Sequence, residues 1–247
     1  MRVEKNVSQG GASDLEQKAY YEKYYASKGA DRNNVMMNAG ARWQTFFSDI
    51  GYVDAIALAM RNSLPGNELH VLDVGCGNGS SLLTFLQLGF SLENISGVDV
   101  QAERIEEGKR RYPGLDVRAA DGRSLPFADE IFDIVTESTM FVSLSDETIA
   151  MPIADEMCRV TKRGGFLLLR DWTTPLRKPD VTYSPLTTKR MTHLFKIGTK
   201  TKMFAAKKGA LLPPLGRTVG RFAPSLYQLF QMVPFATGQH IILLQKL

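Results

Sequence analysis

Three glycines at alternate positions, Gly75, Gly77 and Gly79, follow the apolar-acidic run Val71-Leu72-Asp73-Val74 and precede Ser80. Glycine admits φ > 0 and lets a bound group approach the backbone without meeting a Cβ. A serine after such a turn can start a helix, whose first turn presents unpaired N–H groups and the positive end of the helix dipole. Strand, tight turn and helix N-terminus in this order are the build of a loop that cradles a nucleotide-type cofactor. The spacing narrows the kind. Dinucleotide loops read G-x-G-x-x-G, whereas here the glycines fall as G-x-G-x-G, with Ser80 where the third dinucleotide glycine would stand.

Carboxylates recur at measured distances after the loop. Ile95-Ser96-Gly97-Val98-Asp99-Val100 reads as a second buried strand, and an acid at its end is placed to accept both hydroxyls of a ribose. Leu115 to Ala120 alternates like a strand and leads into Asp121-Gly122, where an acid can accept from an adenine amino group and Gly122 lets the backbone approach. A fourth strand, Ile131 to Thr136, ends at Glu137-Ser138. A fifth, Gly165 to Arg170, ends at Asp171-Trp172. Between them, Glu156 to Gly165 reads as a helix C-terminus, with Lys162 and Arg163 as a basic last turn and Gly164-Gly165 as the stop. Strands alternating with helices predict a parallel sheet covered on both faces. Ligands then bind beyond the carboxyl ends of the strands, and Asp73, Asp99, Asp121, Glu137 and Asp171 all fall at or just past such ends.

With Asp73 two residues before the first glycine, this set of motifs is similar to the class I, Rossmann-like, S-adenosylmethionine-dependent methyltransferases, in their small-molecule (type 11) branch. The resemblance covers residues 66–172. A looser likeness runs through Asp171-Trp172, Pro179-Asp180, Leu194-Phe195 and Leu212 to Arg217, toward methyltransferases of bacterial surface-polysaccharide and secondary-metabolite pathways. The resemblance implies an α/β fold with a seven-stranded, mostly parallel sheet. Its last strand runs antiparallel between strands five and six, with a helical cap at the N-terminus and a helical insertion before that strand. It implies S-adenosylmethionine as cofactor and S-adenosylhomocysteine as product. Asp73 would lie near the methionine ammonium, and Gly75, Cys76, Gly77, Asn78 and Gly79 would cradle the cofactor. Asp99 would hold the ribose, Asp121 and Gly122 would meet the adenine, Glu137 would lie near the methionine end, and Val100 would also contact the cofactor.

Methyl transfer from a sulfonium needs little covalent help, so the protein mainly holds the acceptor in line and excludes water. A general base is needed only where the acceptor must lose a proton. Asp171, on the rim at the end of strand five, and His193, in a helix expected over Leu186 to Phe195, are the candidate catalytic residues. His240 is a further candidate at the start of the last strand. For His193 a surface or packing role is the plain alternative. A nucleic-acid methyltransferase is disfavoured because Glu137-Ser138-Thr139-Met140 stands where an Asn-Pro-Pro-Tyr or Asp-Pro-Pro-Tyr would follow strand four. A cofactor-binding protein without turnover stays open.

The 247 residues, 44% hydrophobic and 23% charged, suit one α/β domain with additions. Residues 1–65 form a tail and helical cap, 66–172 the cofactor-binding core, and 173–247 a C-terminal, substrate-side part of the same domain. The cap is expected to hold helices at Asp14 to Lys28 and Gly40 to Ser63. Tyr20, Tyr21, Tyr24 and Tyr25 of the first are either packing residues or part of a substrate lid. Cys76 and Cys158 have no metal-ligand spacing and read as core thiols. The N-terminus lacks an apolar signal region, and no apolar run nears the roughly 18 residues that span a bilayer. A cytoplasmic protein is expected.

All 26 Asp and Glu residues precede Val181, while ten Lys and Arg residues follow it. Such a one-sign segment faces an anion, an acidic membrane surface or nucleic acid, or is simply a solvated face. The acceptor is accordingly expected to be a small molecule or glycan, acidic or lipid-linked. Leu211 to Gly238, between the sixth and last strands, carries Val219, Phe222, Leu226, Leu229, Phe230 and Met232 at helical spacing. It is read as a substrate-side cover, an interfacial helix on a membrane or a core helix.

Overall fold

The computed structural model describes residues 38–61, 66–176, 178–180 and 183–247. The expected first helix, with Tyr20, Tyr21, Tyr24 and Tyr25, lies outside them. In chain order the elements are α1 (Ala39–Met60), β1 (Val71–Val74), α2 (Leu83–Gln87), β2 (Ile95–Asp99), α3 (Ala102–Arg111), β3 (Asp116–Ala119) and β4 (Phe132–Ser138). They continue with α4 (Glu147–Val160), β5 (Thr161–Trp172), α5 (Thr188–Leu194), β6 (Thr201–Lys208), α6 (Pro213–Phe222), α7 (Tyr227–Met232) and β7 (Gln239–Lys246). The strands form one sheet in the order β3-β2-β1-β4-β5-β7-β6. Only β7 runs antiparallel to its neighbours. This is the expected seven-stranded, Rossmann-like arrangement, with the last strand between the fifth and sixth.

Strand side chains alternate between faces, and here both faces are buried, which is why the strands read as near-continuous apolar runs. Val71, Ile134, Leu168 and Leu243 pack with Tyr52, Ala55 and Ile56 of α1. Leu72, Val135, Leu167 and Leu244 pack on the opposite side with Ile153, Met157 and Leu194 of α4 and α5. Helix α1 starts where the Asn38 side chain accepts from the Ala41 N–H at 3.1 Å. Gly40 then lets it touch α6 backbone to backbone, since a Cβ there would stand 2.6 Å from the Arg217 carbonyl oxygen.

One boundary differs from expectation. Helix α4 ends at Val160, and Lys162 to Gly165 belong to the start of β5 rather than to a helix terminus. The Thr161 hydroxyl caps the helix by donating to the Met157 carbonyl at 2.7 Å, and Phe132 pairs with Thr161. Gly164, at φ +76°, sits where the β4–β5 register shifts, so the glycine pair makes a strand irregularity.

The chain leaves β6 and enters β7 at the sheet edge where the parallel strands end, because Lys208 pairs with His240 and His240 with Asp171. The segment between them therefore rises from the ligand rim. Pro213 and Pro214 open α6. Tyr227 of α7 is fully buried, its ring stacked on Phe47 at 4.4 Å, with its oxygen accepting from the Leu211 N–H at 3.0 Å. Among the described residues no helix is long and apolar enough to cross a membrane.

Candidate cofactor site at the carboxyl rim of the sheet

Strand order reverses between β1 and β4, so a crevice opens beyond their carboxyl ends. A cavity of about 590 Å³ lies there, within the range of roughly 300–1,000 Å³ usual for small-ligand sites. The loop after β1 forms its floor. The Gly75 and Cys76 N–H groups both donate to the Val98 carbonyl, at 2.8 and 3.0 Å, tying the turn to β2. Gly75, Gly77 and Gly79 all have φ between +59° and +80°. Gly77 also lies against the end of the Arg104 side chain, which a Cβ would push aside.

Two carboxylates hold this loop. Asp99 accepts from the Gly77 N–H through Oδ2 and from the Gln101 N–H through Oδ1, each at 2.8 Å. It therefore fixes the loop and lines the cavity at once. Asp73 is buried and accepts from the Ser81 hydroxyl at 2.5 Å through Oδ2, while its buried Oδ1 has no partner. Burial pushes the Asp73 carboxyl up to about 7, against the pull of Ser81 and Arg170. A buried acceptor without a partner is costly unless a ligand group completes it.

The far side of the cavity carries Val100, exposed beside Asp99, together with Gly122 and the Asp121–Arg123 pair. Arg123 holds Asp121 through its side chain at 2.6 Å and its backbone N–H at 2.9 Å. Partial burial pushes the Asp121 carboxyl up, but these Arg123 hydrogen bonds outweigh it and leave it below the usual range. Ile149 and Ile153, one turn apart on α4, close the apolar wall.

The remaining expected residues lie elsewhere. Gly77, Asn78 and Gly79 shape the loop from behind; Asn78 reaches Glu107 at 3.3 Å and accepts from the Ser80 N–H. Glu137 and Asp171 are both buried beneath the cavity wall instead of lining it. Glu137 accepts from the Met140 N–H at 2.9 Å, and Asp171 accepts from the Val142 and Trp172 N–H groups at 2.9 and 2.7 Å. Burial pushes Asp171 up to about 7, and burial with the nearby Asp171 charge pushes Glu137 well up. His193 is exposed on α5 and outside the cavity lining. His240 sits at the rim with Nδ1 2.6 Å from the Thr173 hydroxyl; burial, then Lys208, pushes its imidazole down. Cys76 and Cys158 are buried free thiols, and burial pushes Cys158 up to about 11.

Several lining residues escaped the sequence reading. Ser138 ends β4 and Thr139 and Met140 follow it directly, and Thr139 takes φ +59°, a left-handed conformation rare for a β-branched residue. Their position at or just past a strand end was the available signal. Arg104 lies one helical turn beyond Val100 and Ser81 directly after Ser80, on faces that periodicity alone does not orient toward a ligand.

These residues fit an adenosyl amino acid: an orphan carboxylate oxygen for an ammonium, an acid at the ribose position, and an acid beside an apolar slot for a purine. Comparison with known proteins agrees. Residues 71–165 match the family model described as a methyltransferase domain. A demethylmenaquinone methyltransferase of Renibacterium salmoninarum is 33% identical over 148 residues, 60% of this chain and 55% of that protein. A 2-methyl-6-phytyl-1,4-hydroquinone methyltransferase of Synechocystis is 34% identical over 132 residues, 51% of this chain and 39% of that protein. The chain spans about half the length of the curated relatives it matches. Two solved structures share the fold. A TehB-like methyltransferase from Corynebacterium glutamicum aligns with a TM-score of 0.54 at 13% identity, covering 95% of this chain and 98% of that one. Geranyl diphosphate C-methyltransferase from Streptomyces coelicolor, crystallised with S-adenosyl-L-homocysteine, aligns with a TM-score of 0.56 at 14% identity, covering 79% and 77%.

Residues 71–165 thus match a methyltransferase domain, and they lie in a sheet with the class I, Rossmann-like strand order.

Proposed function

We propose that the whole chain transfers a methyl group from S-adenosylmethionine to a small-molecule acceptor. The observation that carries this reading is the cavity itself: a glycine loop braced by Asp99, with the orphan Oδ1 of Asp73 at one end and Asp121 at the other. When bound, the cofactor supplies an electrophilic methyl on a sulfonium. The protein's part is to orient and to exclude water. Asp73 takes the ammonium of the amino-acid end, Asp99 the ribose, and Asp121 the adenine amino group, with Val100 and Ile153 against the ring. Glu137 and Asp171 position the Met140–Val142 wall by holding its N–H groups, and neither they nor His193 is assigned the role of base.

For the acceptor we take a quinone- or hydroquinone-type ring, because the names of the curated relatives point to that class. An anionic or lipid-linked glycan draws its support from the acid-free C-terminal quarter. The cations there do not line the cavity. Lys196 and Lys200 pair with Asp155 at 2.5 and 3.0 Å, and Arg190 with Glu147 at 2.6 Å. Lys202, Lys207 and Lys208 lie on the edge strand β6, where lysines discourage edge-to-edge pairing. The quinone-type reading is therefore preferred.

Incubation with methyl-labelled S-adenosylmethionine and fractionated cell extract tests the proposal. Label passing into a solvent-extractable small molecule is the expected result. Label in RNA, or cofactor binding without any transfer, would overturn it.

A further inference from the structure

We propose that the outer face of the segment between β6 and β7 docks on an anionic membrane surface. Phe222, Leu226, Leu229, Met232, Val233 and Phe235 are all exposed there, Phe222 and Met232 to 73% and Phe235 to 90%. Their spacing is not scattered. On α7 the inward positions are Tyr227, fully buried, and Phe230, packed with it against Phe47 and Val219. Leu226, Leu229 and Met232 recur every three residues on the opposite side. The segment is amphipathic with its core face already filled, and its second apolar face is turned to solvent. A concentrated apolar patch of this kind marks an interaction surface.

Phe235 strengthens the case. Its backbone takes φ +62°, a left-handed conformation that a bulky aromatic residue rarely adopts. The fold holds this residue in an unfavourable backbone state and gains no burial of its ring in return. A ring projected in this way suits insertion into a layer that is not part of the protein.

Charge selects the occupant. Arg217 and Arg221 are exposed on the preceding α6, the Arg221 guanidinium lying 5.1 Å from the Phe222 ring. Lys208 joins them by donating to the Gln231 carbonyl at the end of α7. No Asp or Glu occurs from 181 to the last residue. Arginine and lysine beside protruding Leu and Phe are the composition of interfacial helices on anionic lipid. A second copy of the chain, seated face to face on this patch, would bring like charges together. Because the segment rises from the ligand rim, docking by this face holds that rim close to the bilayer. The inference rests on the patch alone and does not depend on the acceptor.

Co-sedimentation with vesicles tests it, with neither cofactor nor acceptor present. The full chain is expected to pellet with phosphatidylcholine vesicles containing phosphatidylglycerol roughly tenfold more than with pure phosphatidylcholine, and less as salt rises. The triple variant Leu229→Ser, Met232→Ser, Phe235→Ser should lose that binding while keeping wild-type affinity for S-adenosylhomocysteine, which certifies its fold. Arg217→Gln with Arg221→Gln, which leaves the apolar face intact, should remove most of the preference for anionic vesicles. No pelleting of the wild-type chain, equal binding to neutral vesicles, or an Arg217→Gln/Arg221→Gln chain that binds like wild type would overturn the proposal. So would a wild-type dimer by light scattering that the triple variant disperses.

Discussion

The two ends of the sheet handle their buried polar groups differently. At the β1, β2 and β4 end, Asp73 and Glu137 each keep one buried carboxylate oxygen without a partner, and Asp99 braces a glycine loop that bends backward at three positive φ angles. At the β5, β7 and β6 end most buried polar groups are closed on one another, the Thr237 hydroxyl being an exception. The Gln239 amide oxygen accepts from the Ser48 hydroxyl at 2.6 Å, and Lys246 donates to the Thr161 carbonyl at 2.7 Å. The Arg190 guanidinium donates to the Phe141, Ser184 and Leu144 carbonyls. Of these unmet acceptors Asp73 lines the cavity, where a ligand group can meet it, while the paired groups serve architecture. The first end is a site and the second is a frame that presents a surface.

This contrast breaks most visibly at Asp99. Asp99→Ala removes the two hydrogen bonds that hold the loop and the group placed at the ribose, and the affinity for S-adenosylhomocysteine, measured by calorimetry, is expected to fall roughly 100-fold. The next largest effect is on stability against pH. Asp73 and Asp171 titrate near 7 in the folded chain, well above the ordinary carboxylate value of 3.8. Between those values the folded state holds protons that the unfolded state has released, so stability falls as pH rises from about 4 to 7 and is flat above. The loss should reach at least about 2 kcal/mol, read as a falling melting temperature, and Asp73→Asn should shrink it.

Smaller effects sharpen the boundary. Gly77→Ala places a Cβ at φ +59° and displaces the end of Arg104, and the expected cost is roughly tenfold in cofactor affinity. Tyr227→Phe leaves the buried Leu211 N–H unpaired, so thermal unfolding should show a loss of about 1 kcal/mol with cofactor affinity unchanged. Lys202→Gln with Lys207→Gln should move neither quantity by more than about 0.5 kcal/mol. A large effect on cofactor affinity at β6 or α7 would erase the distinction between the two ends.

How far the sequence shows this division follows from where the chemistry lies. Glycines and acids at strand ends are local signals, so the loop, Asp99 and Asp121 were legible together with the strand order. The depth of Glu137 and Asp171 was not, because periodicity places a residue at a strand end without saying whether a later loop covers it. Here Met140 to Val142 folds over both carboxylates. The basic quarter misleads for a related reason: the acids that pair with Arg190, Lys196, Lys200 and Lys246, namely Glu147, Asp155 and Glu130, lie far away in the chain. Lys162 to Gly165 had the composition of a helix end, and cross-strand pairing with β4 overrode it.

The account's central claim is that the crevice between β1, β2 and β4 holds S-adenosylmethionine through Asp73 and Asp99. Calorimetric titration of S-adenosylhomocysteine into the wild-type chain and Asp99→Ala, on either side of pH about 7, tests it most directly. One site per chain is expected, tighter above that pH as Asp73 ionises to receive the ammonium, and roughly 100-fold weaker in Asp99→Ala. No binding to the wild type, or equal binding by the two proteins, would contradict it.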